Sequence, residues 1–103
     1  MKEYMFTVKD AEYRTLANII ELDFIDDNMA WMILRGMVDS ALEALYGEPE
    51  THIGIVKYCD MKTTGEWFLT RKVDENDNEE WILTKDGETF DGTRWDEYLS
   101  GWL

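Results

Sequence analysis

Cysteine, proline and histidine each occur once in this 103-residue chain, as Cys59, Pro49 and His52. A lone cysteine closes no internal disulfide, which points to a reducing compartment. One His and one Cys cannot supply the ligands of a structural zinc site. As a Cys–His nucleophile pair they also fail. They stand seven residues apart in one extended segment, on opposite faces and more than roughly 20 Å apart at about 3.3 Å per residue. Cys59 reads instead as a small packing residue. No hydrophobic run is long enough to cross a membrane, and Met1–Phe6 shows no signal-peptide core. The expectation is cytoplasmic residence, in the host cytoplasm if the chain is phage-encoded.

Positive charge is scarce as well. Ten Lys and Arg stand against 23 Asp and Glu, a formal net charge of −13. Nucleic-acid binders need Lys and Arg to displace counterions from phosphates, so no direct binding of DNA or RNA is expected, and anionic membranes are repelled. The field attracts basic protein surfaces and speeds encounter with them. Its plainer role is solubility.

The glycines are single and scattered, which excludes a Gly-rich phosphate loop. Asp74, Asn76 and Asn78 take the first, third and fifth positions of a calcium-loop pattern. Glu79 then stands where the turn needs Gly, and Lys85 where a bidentate Glu is needed, so the segment reads as a solvated hairpin loop. Carboxylates are too abundant for any pair to be diagnostic, and so small a domain has little room for a cleft between two of them. No metal, cofactor or catalytic residue is assigned, and the chain is read as not an enzyme.

What is present is aromatic and apolar: 5 Trp, 5 Tyr and 4 Phe within 45% hydrophobic residues, enough for a core at this length. The expectation is one acidic α+β domain over residues 1–103. Tyr4–Val8 reads as an N-terminal strand. Asp10 and the apolar positions Tyr13, Leu16, Ala17 and Ile20 predict a first amphipathic helix over about Ala11–Leu22. A second helix runs over about Asn28–Tyr46, with Gly47 at its C′ position and Pro49 beyond. One of Asp23, Asp26 and Asp27 caps it. This helix is apolar on nearly all sides, so it is either central in the fold or the core of a homodimer. Near Thr51 the period changes from helical to alternating. His52–Cys59, Glu66–Val73 and Glu80–Lys85 then read as a three-stranded antiparallel sheet, with turns at Asp60–Gly65 and Asp74–Asn78. Asp86-Gly87 and Asp91-Gly92 are turn signals. Thr93 and Asp96 resemble a capping box, and Trp95–Trp102 reads as a short C-terminal helix.

Acidic charge is densest from Asp74 to Glu97. The acids there are Asp74, Glu75, Asp77, Glu79, Glu80, Asp86, Glu88, Asp91, Asp96 and Glu97, against Lys85 and Arg94. Trp81, Phe90 and Trp95 lie among them. As structure, the aromatics are core and the acids a wet face. As function, these acids with Trp95 form a partner-binding surface of aromatic anchors and a charged rim. The partner expected is a basic protein surface, belonging to a nucleic-acid-binding protein. In size, charge and aromatic content the chain resembles the small acidic anti-restriction and anti-CRISPR proteins of phages. No motif carries that likeness and no residue roles transfer with it. It implies an acidic inhibitor or decoy. The alternatives are an immunity protein or antitoxin for a nuclease toxin, and a non-catalytic oligomeric accessory subunit.

Overall fold

The computed structural model describes residues 2–12, 14–59 and 62–102, with side chains over 4–12, 14–16, 26–57 and 65–101. In chain order the elements are β1 (Lys2–Asp10), β2 (Thr15–Ile25), α1 (Asp27–Ala44), β3 (Glu50–Cys59), β4 (Lys62–Val73), β5 (Glu79–Lys85), β6 (Glu88–Asp91), a 3₁₀ turn (Gly92–Arg94) and α2 (Trp95–Trp102). The six strands form one antiparallel sheet in the order β2-β1-β3-β4-β5-β6.

The turns follow from local chemistry. The Asp10 carboxylate accepts from the backbone N–H groups of Glu12 and Arg14, at 2.9 Å each, and from the Arg14 guanidinium at 2.7 Å. An Asx turn of this kind reverses β1 into β2. Asp74 organises the β4–β5 loop in the same way, accepting from Asn76 N, Asn78 N and Asn78 Nδ2. Asp86 and Gly87 both adopt positive φ, 53° and 81°, which makes the type I′ turn that matches strand twist between β5 and β6. α1 starts where Asp26 accepts from Met29 N at 2.8 Å, and it ends before Gly47 at φ 96°. Asp26 is thus the capping residue of the aspartate group. Asp27 instead accepts from the Tyr4 hydroxyl at 2.5 Å.

Alternation sets the core. The residues facing α1 include Phe6 and Val8 of β1, Ile53 and Ile55 of β3, Trp67 and Leu69 of β4, and Leu83 of β5, all buried. Against them α1 lays Ala30, Leu34, Met37, Val38 and Ala41, spaced at three and four residues. α2 lies on the same face. Trp95 and Leu99 are buried, Trp95 meets Trp31 of α1 edge-on at 6.3 Å, and Phe90 and Tyr98 stack beside Trp67. Both helices therefore cover one face of the sheet. On the other face His52, Phe68 and Lys72 are exposed.

The α+β class agrees with the sequence reading, but the expected architecture of an N-terminal strand, two helices and a separate three-stranded sheet does not. Residues 15–25 form a strand, not a helix. Tyr4–Val8 lies inside a six-stranded sheet, paired on both sides by β2 and β3. Thr15, Ile19, Ile20, Phe24 and Ile25 are β-branched or aromatic, and they favour extension. A helix here would also have left the outer edge of β1 without hydrogen-bond partners. Tyr13, one of the residues that suggested helical spacing, lies outside the described residues, as do the side chains of Ala17 and Ile20. β6 was not expected. It is four residues long with one core side chain, Phe90, opposite Leu83. Of the expected Asp60–Gly65 turn, Asp60 and Met61 lie outside the described residues, and β4 already begins at Lys62. The Cys59 side chain is likewise outside them. The 3₁₀ turn before α2 is capped by Asp91, whose carboxylate accepts from Thr93 N and Thr93 Oγ1, in place of the Thr93–Asp96 box.

Candidate protein interface

The antiparallel order puts the β4–β5 loop and the C-terminal end of α1 at the same end of the molecule. Arg71 of β4 pairs with Trp81 of β5, and both reach up to Leu42 and Tyr46 from α1 and its exit. The Arg71 guanidinium carbon lies 5.8 Å from each of the Tyr46 and Trp81 ring centres, and Nη2 stands 2.8 Å from Glu79 Oε1. Glu79 also accepts from Trp81 Nε1 at 3.2 Å. The Arg71 hydrogen bond, with help from Trp81, holds the Glu79 carboxyl below its ordinary value. Asp74 is held low by the backbone and side chain of Asn78, then by Asn76. Both groups therefore stay charged.

Around this end stand Glu43, Glu48, Asp74, Asp77 and Glu79 beside Arg71 on the helix side of the sheet, with Glu75 in the loop and Glu80 opposite Lys72 on the other sheet face. Among the described residues Glu43, Glu48, Glu75, Asp77 and Glu80 enter no ion pair. No basic residue lies in the last turn of α1. The negative end of its dipole thus adds to the same field. A cleft of about 490 Å³ runs between Tyr46–Pro49 and Arg71–Glu79, and a second of about 340 Å³ opens between Leu42, Glu43, Tyr46 and Trp81. Tyr46 is 80% exposed, the most exposed large hydrophobic side chain among the described residues.

The acidic tract of the sequence does not fall on one patch. Asp74, Glu75, Asp77, Glu79 and Glu80 gather at the end just described. Asp86 and Glu88 flank the turn at the other end of β5, roughly 20 Å away by strand rise. Asp91 is committed to its cap. Glu97 pairs with Arg94, whose Nε lies 2.9 Å from it, and Asp96 accepts from Glu97 N. Trp95 is a core residue, 9% exposed and packed on Trp31, so its place among the contact residues is corrected. Its position at the start of a one-sided helix turns the ring inward.

The sequence reading passed over Tyr46, Glu43, Glu48 and Arg71. Tyr46 is the last residue of the helix expected from the sequence, and its only signal is its place beside the Gly47 stop. A further hollow, of about 310 Å³, lies on the uncovered sheet face above Gly54, edged by Lys9, His52, Glu66, Phe68 and Thr70. A glycine inside a strand was its signal. His52 there contacts Glu50 at 2.8 Å and Thr70 at 3.2 Å.

No group of three or more His, Cys, Asp or Glu among the described residues is placed to hold a metal ion, and no helix among them is long and apolar enough to cross a membrane. Comparison with protein-family models, with curated proteins and with solved structures finds no match for this chain.

Proposed function

We propose that the chain is a small acidic inhibitor or decoy, of the anti-restriction or anti-CRISPR kind, that blocks the basic surface of a nucleic-acid-handling protein without doing chemistry itself. One observation carries this reading. At the end formed by the β4–β5 loop and the exit of α1, Glu43, Glu48 and Asp77, which enter no ion pair among the described residues, line the clefts beside the exposed ring of Tyr46. Rim carboxylates steer a basic partner toward the patch, and the aromatic ring offers area to bury. At physiological salt, exposed charges act over about 8 Å, so the clustering of these groups matters more than the total charge.

The test is capture from host lysate by the wild-type chain and by the Glu75→Lys, Asp77→Lys, Glu80→Lys triple variant. The captured protein is then assayed for nucleic-acid binding with and without this chain. The wild type is expected to capture a nucleic-acid-handling protein, to compete with its nucleic acid, and to release it as salt rises. The triple variant is expected to fold normally, since exposed substitutions cost within about 0.5 kcal/mol each, and to lose capture. Undiminished capture by the folded triple variant, or tight binding of DNA or RNA by the chain itself, refutes the reading.

A further inference from the structure

The acidic end contains an aromatic slot that a purely electrostatic decoy would not need. Tyr46 stands just past the C-cap of α1 with 80% of its surface exposed, and Trp81 stands half-buried across from it. The inner part of the slot is already filled by a guanidinium. The Arg71 side chain is 11% exposed, lies 5.8 Å from both ring centres, and is neutralised by Glu79 at 2.8 Å. The outer part is open, a cleft of about 340 Å³ whose rim includes Leu42 and Glu43. Glu43 is exposed and enters no ion pair among the described residues.

We propose that this cleft receives an arginine side chain of the partner, its guanidinium laid on the exposed ring of Tyr46 and paired with Glu43. The inference rests on the acidic end being the docking surface, and it names what that surface selects. A guanidinium is planar, weakly hydrated and always charged, so it stacks on an aromatic ring and keeps its hydrogen bonds in plane. An ammonium is a compact, strongly hydrated charge and gains less on an exposed tyrosine. Arg71 shows the geometry within the chain itself, one guanidinium against two rings with a carboxylate at its edge. A second guanidinium outside it finds the same kind of surroundings, with Glu43 in place of Glu79.

Labelled oligo-arginine and oligo-lysine peptides of equal length test this against the full chain by fluorescence anisotropy. The arginine peptide is expected to bind more tightly. Tyr46→Ala should weaken it roughly 2- to 5-fold, the scale of one exposed cation–π contact, and weaken the lysine peptide less. Tyr46→Phe, which keeps the ring, should bind as the wild type does, and circular dichroism should show all variants folded. If both peptides bind, the Glu75/Asp77/Glu80 reversal abolishes binding and Tyr46→Ala changes nothing, the docking surface stands and the arginine slot is overturned. The slot is also overturned if Tyr46→Ala weakens both peptides equally. If neither peptide binds at low salt, the docking surface itself falls and the slot falls with it.

Discussion

Gly36 lies in the middle of α1 on the side away from the sheet, and a methyl group placed there would meet nothing within 4 Å. Glycine in a helix interior costs roughly 1 kcal/mol relative to alanine, through the entropy its backbone loses on folding. Gly36→Ala should recover that amount with no steric penalty. A domain of this length unfolds with an entropy near 2.1 cal/mol/K per residue, so the gain corresponds to a rise in Tm of about 4–5 °C. The assay is thermal unfolding by circular dichroism across a wide range of protein concentrations, checked by urea unfolding with an unchanged m-value. The substitution also probes the outer face of the helix. Met29 and Met32, 52% and 66% exposed, lie on the same stripe as Gly36 and Ser40. If a second copy of the chain closed on that stripe, the new methyl would press on the partner helix. Gly36→Ala would then lower Tm, most strongly at concentrations that favour the dimer. A higher Tm, independent of concentration, marks the stripe as open to water. An unchanged Tm refutes the reasoning outright, because the backbone-entropy argument allows no zero.

Three further outcomes follow from the packing and the carboxylates. Leu83→Ala empties a fully buried position between Leu69 and Phe90 and should cost about 2–5 kcal/mol in chemical unfolding; a loss below about 0.5 kcal/mol, the scale of an exposed substitution, would contradict the assigned register. Gly92→Ala brings a methyl within 2.6 Å of the Ile82 backbone N, so it should push the 3₁₀ turn off β5 and destabilise by about 1–3 kcal/mol; wild-type stability would show that the close approach is absent. Asp74 is held low by Asn78 and Glu79 by Arg71, so the stability these groups bring is complete above the ordinary carboxylate range and is lost as pH falls through their lowered values; Asp74→Asn should flatten the acid limb of Tm against pH, and an acid limb identical to the wild type would refute the role of that loop carboxylate.

What was legible in the sequence is what local chemistry decides. α1 has a run of apolar residues too long for a strand, an Asp cap and a Gly-Pro exit, and it sits within two residues of its expected bounds. Trp95–Trp102 carries its own helical spacing. The Asp74–Asn78 turn stands where expected, between β4 and β5, and the register it sets places Leu69 against Leu83. Segment 15–25 was misread because four apolar residues happened to recur at helical intervals, while the deciding fact was non-local. β1 has an edge beyond β3 that needs a partner, and no pattern within Thr15–Ile25 announces it. β6 is too short to show alternation. The proposed interface was half legible. Charge counting found the hairpin loop but merged two ends of one strand, because a strand reverses in space what is continuous in sequence. It also missed Tyr46 and Arg71, which become neighbours only when α1 lies back across the sheet.

The strand order carries a consequence for the time course of folding. Strands β3 to β6 join neighbours in sequence through short reversals, so each closes a small loop at low entropic cost. β1 must wait. Its pairing with β3 joins Tyr4 to Cys59 and Asp10 to Ile53, across the whole of β2 and α1. Contacts of such separation are expected to form late, after the C-terminal meander has built the template on which β1 finds its register. Truncations of buried side chains in β1, such as Val8→Ala, should therefore act mainly on the unfolding rate, and those at Leu69 or Leu83 mainly on the folding rate. On a ribosome, the strand that leaves first would be among the last to dock.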